Sequence, residues 1–148
     1  ENQHFEIGKA QIMNRGSDAT IIATGHMVWE ALKAADILKQ DGLKIRVINM
    51  HTIKPLDEET VIKAAEETGA IVSAEEHQVT GGLGSAIAEI TASNNPVPIE
   101  FAVLAYLPVA GEPRFVPVGP LISHQQALAD QSIHSAYDAM SRVWPHRG

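Results

Sequence analysis

The chain contains no cysteine, which removes disulfides, thiolate metal sites and cysteine nucleophiles from consideration. It has no apolar run close to the roughly 18 residues that a bilayer-spanning helix needs, and no signal-peptide pattern at its start. A soluble, cytoplasmic protein with no membrane partner is the expectation. Basic residues are also few, 11 against 18 acidic ones, for a net charge of −7 with histidine neutral. They are scattered along the chain, whereas nucleic-acid binding needs a concentrated basic footprint to release phosphate counterions. The acidic excess serves solubility instead. There is no Gly-x-Ser-x-Gly elbow, so the serine-hydrolase route is closed too.

What is present fits one domain with a single core: 148 residues, of which 45% are apolar, enough to cover a sheet on both faces. The chain opens Glu1-Asn2-Gln3 without an initiator methionine, as expected of a processed chain, an excised piece of a longer one, or simple trimming. Apolar periodicity then repeats a pattern. An alternating stretch, Gly8 to Asn14, ends at the turn Arg15 to Asp18, and Ala19 to Thr24 is a nearly unbroken apolar run. Strands buried on both faces read this way. Gly25 opens a helix with Val28, Ala31, Leu32, Ala35 and Leu38 at helical spacing, closed by Asp41-Gly42. A second unit has a strand from Ile45 to Met50, the connector Lys54-Pro55-Leu56, and a helix capped by Asp57 that ends at Thr68-Gly69. Glu58 and Glu59 suit the positive end of that helix. A third has a strand from Ala70 to Ala74, a loop through Gly81-Gly82, a helix from about Leu83 to Ser93, and a further strand from Ile99 to Leu104. Alternation of this kind predicts parallel βαβ units and an α/β three-layer sandwich.

From Ala105 the character changes. Pro108, Pro113, Pro117 and Pro120 suggest a proline-braced excursion, followed by a closing helix between His124 and Val143 and a frayed end over residues 145–148. No second domain is expected.

In open parallel sheets, ligands bind beyond the carboxyl ends of the strands. The residues there are Gly25-His26, His51-Thr52, and Glu75-Glu76-His77 with Gly81-Gly82-Leu83-Gly84-Ser85. Three of the seven histidines, His26, His51 and His77, thus hold equivalent places in successive units. A metal crevice or acid–base groups would use imidazoles in this way. Helix capping, bonds to loop carbonyls or contact with another protein surface account for them as well, and these carry more weight, since every ligand would come from a separate loop. Gly81, Gly82, Gly84 and Ser85 at a helix start could cradle an anion. The turn lacks a P-loop lysine and dinucleotide spacing, and close helix–strand packing asks for glycine equally. Ser85, in a first helical turn, is placed for capping.

The motifs Gly25-His26-Met27, Ile48-Asn49-Met50-His51-Thr52-Ile53-Lys54-Pro55-Leu56-Asp57, Ala74-Glu75-Glu76-His77 and Gly81-Gly82-Leu83-Gly84-Ser85-Ala86 occur in that order. Together they resemble the C-terminal domain of transketolase, over residues 5–104, most of all the two-subunit kind in which this domain ends the shorter subunit. Related domains of deoxyxylulose-phosphate synthase and the pyruvate dehydrogenase beta subunit share the Lys-Pro-Leu-Asp and glycine-rich turns. The resemblance implies a mixed five-stranded sheet whose first strand, near Gly8 to Asn14, is antiparallel. It also implies a parent enzyme that moves two-carbon ketol units between sugar phosphates with thiamine diphosphate and a divalent metal, both held by preceding domains. This chain would bind neither cofactor itself. It would contribute packing, dimer stability and a proposed regulatory site, its partners being those cofactor-binding domains or subunit and further copies of itself. No catalytic residue carries over, and the histidine edge would face the missing domains. In the tail, Ala105-Tyr106-Leu107-Pro108 replaces the family's usual aspartate- and phenylalanine-containing continuation, and residues 105–148 depart from the pattern. Two rivals from other classes are a free-standing anion- or phosphate-binding regulatory module built on Gly81 to Ser85, and a histidine-based metalloenzyme.

Overall fold

The computed structural model describes residues 5–77, 80–109 and 112–117. Strands β1 (Gln11–Asn14), β2 (Ala19–Ala23), β3 (Ile45–Asn49), β4 (Ile71–Glu75), β5 (Ile99–Val109) and β6 (Glu112–Pro117) form one sheet in the order β1-β3-β2-β4-β5-β6. β2, β3, β4 and β5 run parallel, and β1 pairs antiparallel with β3 at one edge. Helices α1 (Met27–Gln40), α2 (Glu58–Thr68) and α3 (Leu83–Ser93) connect the parallel strands. The chain moves in one direction from β2 to β3 and in the other from β3 to β4 to β5. Right-handed crossovers therefore put α1 on one face and α2 and α3 on the opposite one.

The core has two halves accordingly. Ile21, Val47 and Val72 pack under α1 against Ala31, Ala34 and Leu38. Ile22, Ile48 and Ile71 point the other way, against Val61, Ala64, Leu83 and Ile87 of α2 and α3. Every residue of β2 and β4 is buried, while β1 alternates between half-buried and exposed. That is what distinguishes strands covered on both faces from an edge strand with one face open. Local chemistry sets the ends: the Asp57 carboxylate accepts from Thr60 N to cap α2, and Gly69, at φ +70°, closes that helix in the left-handed region.

The three-layer sandwich follows the sequence pattern, and the antiparallel first strand is the one that the resemblance implies. The last strand does not stop at Leu104: it continues to Val109, and β6 returns antiparallel beside it as a sixth strand. Pro108, Pro113 and Pro117, which the pattern marks as interruptions, lie within this hairpin. Among the described residues, β5 beyond Val103 pairs only with β6, and β6 is the sheet edge. Backbone N–H groups missing at proline are tolerated where no neighbouring strand asks for them. The closing helix expected over residues 124–143, Pro120 and the tail over 145–148 lie outside the described residues. Among the described residues no helix is long and apolar enough to cross a membrane.

Candidate functional site

β3, β2 and β4 are neighbours in the sheet, so the turns that follow them open on one edge. Chain direction reverses between β2 and β4: α1 leaves β2 on one face, and α3 leaves β4 on the other. A crevice forms at such a switch point. It is an open hollow of about 280 Å³, bounded by Thr24 and Gly25 after β2, Ile53 after β3, and Glu75, Glu76, His77, Gly81 and Gly82 after β4. Of the residues singled out from the sequence, Glu76, His77, Gly81 and Gly82 meet there. His26, His51, Gly84 and Ser85 are not in its wall.

Glu75 organises this end of the sheet. It is the last residue of β4 and only 1% exposed. Its Oε2 accepts from Leu83 N at 2.8 Å and its Oε1 from Gly84 N at 2.9 Å. A carboxylate thus occupies the place at the start of α3 where free amides and the helix dipole would hold an external anion. The glycines follow from the same geometry. A Cβ on Gly82 would overlap the Glu75 carboxylate, and one on Gly84 would overlap the Phe101 ring and come within 2.7 Å of Ser73 Oγ. Ser85 Oγ accepts from Gly81 N at 3.0 Å, which tightens the turn. This glycine-rich turn is therefore a close-packed joint between α3 and the sheet, and the two amides a phosphate would need are bonded within the chain. Sequence reading singled out Glu76 and passed over Glu75 as a site residue. The usable signal was a glutamate ending a buried strand, eight residues before the first residue of a helix that follows a Gly-Gly pair.

The three histidines differ in setting. His26 precedes α1 and makes no side-chain cap; its ring is exposed, with Nε2 3.9 Å from the buried Glu30 carboxylate, which also meets Lys33 Nζ at 3.1 Å. His51 is half-buried. Its Nδ1 is 3.1 Å from Thr52 Oγ1, which accepts from Gly8 N, and the Phe5 ring meets it edge-on at 5.1 Å. His51 Nε2 is enclosed and has no hydrogen-bond partner among the described residues. His77 is exposed beside Glu76 at the mouth of the hollow. Among the described residues no three histidine, aspartate or glutamate side chains converge as a metal site would require.

These residues do not suit a diphosphate with its metal. Such a group needs free donors and a carboxylate-lined cation position, whereas here the helix start is already filled by a negative charge of the protein's own. No step involving that cofactor follows from this chain.

Known proteins share the pattern. The family described as "Transketolase, C-terminal domain" matches residues 8–113. The chain is 52% identical over 99 residues to a 6-deoxy-6-sulfo-D-fructose transketolase subunit of Clostridium sp. strain MSTE9, covering 67% of this chain and 31% of that protein. It is 39% identical over 137 residues to a 1-deoxy-D-xylulose-5-phosphate synthase of Geobacter sulfurreducens, covering 92% of this chain and 20% of that one. Among solved structures, a split-gene transketolase, described as an inactive beta4 tetramer, superimposes with a TM-score of 0.75 at 35% identity, over 95% of this chain and 44% of the other. The chain thus spans less than half the length of each of these relatives.

Proposed function

The chain belongs to the transketolase C-terminal domain family, and on that premise we propose that it is the structural and dimerisation domain of a thiamine-diphosphate-dependent transketolase-type enzyme. The whole enzyme transfers two-carbon ketol units between sugar phosphates in the cytoplasm. Thiamine diphosphate and its divalent metal sit in the cofactor-binding domains or partner subunit. Residues 1–148 act as one domain without turnover of their own, and the carboxyl edge of the sheet, with His26, His51, Glu76 and His77, faces that partner.

The observation that carries this reading is the internal filling of the α3 helix start by Glu75. The one place in the glycine-rich turn suited to a phosphate serves the domain's own packing. Support for a partner comes from the relatives, two of which bear names of transketolase subunits. The test is to assay the purified chain with a ketose phosphate, an aldose phosphate, thiamine diphosphate and magnesium. Product formation at background rate is expected. Turnover by this chain alone defeats the proposal.

A further inference from the structure

A second hollow lies along the antiparallel edge of the sheet, between β1, β3 and α2, with a volume of about 470 Å³. We propose that this groove binds a small phosphorylated anion. The inference goes beyond the scaffold role above and does not depend on it.

Four cationic side chains line the groove, Lys9, Arg15, Arg46 and Lys63, against the three carboxylates of Asp57, Glu59 and Glu67. The groove is therefore locally positive on a chain whose net charge is −7. An excess of positive charge in a concave surface attracts counter-charged ligands. The four cations come from distant stretches of sequence, and the antiparallel β1–β3 pairing beside α2 brings them together.

The cations are held to different degrees. Arg46 is mostly buried, and its Nη2 is fixed by Glu67 Oε2 at 2.6 Å, so it is a stationary positive wall. Lys63 Nζ is 3.9 Å from Glu67, and Lys9 Nζ is 3.7 Å from Glu59. Exposed pairs this long hold little energy, so both ammonium groups can turn toward a ligand at small cost. Arg15 is exposed and has no ion pair among the described residues, and its planar donor fork matches a phosphoryl group. Asp57 is fixed in the groove wall, since its oxygens already accept from Ala10 N, Thr60 N and Thr60 Oγ1. Ile12, 52% exposed, supplies an apolar side to the groove that a carbon skeleton would cover.

The ligand class is thus a compact dianion, which could be free phosphate or the phosphoryl end of a small metabolite. The test is a heteronuclear NMR titration of the 148-residue chain with inorganic phosphate, glycerol 3-phosphate and sodium chloride at matched ionic strength. Saturable shifts of amides in residues 9–16, 46 and 60–67 are expected with both phosphates. Tighter binding of glycerol 3-phosphate identifies an organic phosphate as the ligand, and equal binding identifies free phosphate. Arg15→Ala and Lys63→Ala should each weaken binding roughly tenfold, the loss of one charge-assisted contact. Arg15→Lys should weaken binding less than Arg15→Ala does, because the charge stays and the planar fork is lost, and Lys39→Ala, at an exposed position of α1 across the sheet, should change nothing. The proposal fails if chloride gives the same shifts, if they do not saturate, if they centre on residues 81–85, or if Arg15→Ala and Lys63→Ala bind as the parent does.

Discussion

Each carboxylate oxygen of Glu75 takes one amide proton at the start of α3, so the side chain answers two donors that a helix leaves unpaired. Glu75→Gln replaces one acceptor with an NH₂ group that faces an N–H donor. A loss of about 2 kcal/mol in urea unfolding is expected, with no gain of phosphate binding at residues 81–85. Gly82→Ala should cost about 1–3 kcal/mol, because the added methyl displaces the same carboxylate. Asp57 plays a parallel part at α2 and also ties the strand-entry residue Ala10 to that helix. Burial pushes its carboxyl upward, but bonds from Ala10 N, Thr60 Oγ1 and Thr60 N, with Lys9 nearby, outweigh that and hold it below the ordinary carboxylate value. A lowered folded-state value means that the stabilisation is present above the unfolded value, about 3.9. It is lost as pH falls from there through the folded value. Asp57→Asn cannot accept from both sides, so it should be about 1–2 kcal/mol less stable at pH 7. The gap should narrow below about pH 4, as chemical denaturation at the two pH values would show.

At the scale of elements, α3 approaches β4 and β5 more closely than side chains of ordinary size allow. Gly84→Ala should push the helix away from Phe101 and Ser73, at a cost of about 1–3 kcal/mol, and should loosen β5 amides in hydrogen exchange. Most elements were legible beforehand. The runs Ala19 to Ala23 and Ile45 to Asn49 are apolar because both faces are covered, and Asp57 and Gly69 mark helix ends by chemistry confined to a few residues. The β5–β6 hairpin was not legible. Proline forbids a strand only where a neighbour needs its missing N–H, and whether a neighbour exists is a property of the sheet. Nor was the role of Glu75, since the strand runs one residue past Ala74. That single step decides which of two adjacent glutamates turns inward.

For the whole molecule, Phe5, Ile7, Ile12 and Trp29 are exposed apolar side chains that a partner surface would cover. If the domain packs against copies and partners, light scattering of the purified chain should give dimers or larger assemblies. A monomer throughout the concentration series would count against the dimerisation role. Ile7→Asp, at a position 81% exposed, should lower association without lowering thermal stability if that segment contributes.

The sequence by itself determined the alternation of strands and helices, and with it the α/β class, because periodicity and capping act over a few residues; the ordered motifs carried the family likeness. Tertiary structure alone decided which turns share a crevice, that the amides opening α3 are satisfied from within, and that four scattered cations line one groove. Those outcomes depend on strand order and on approach distances of a few ångströms, and neither is written in the spacing along the chain.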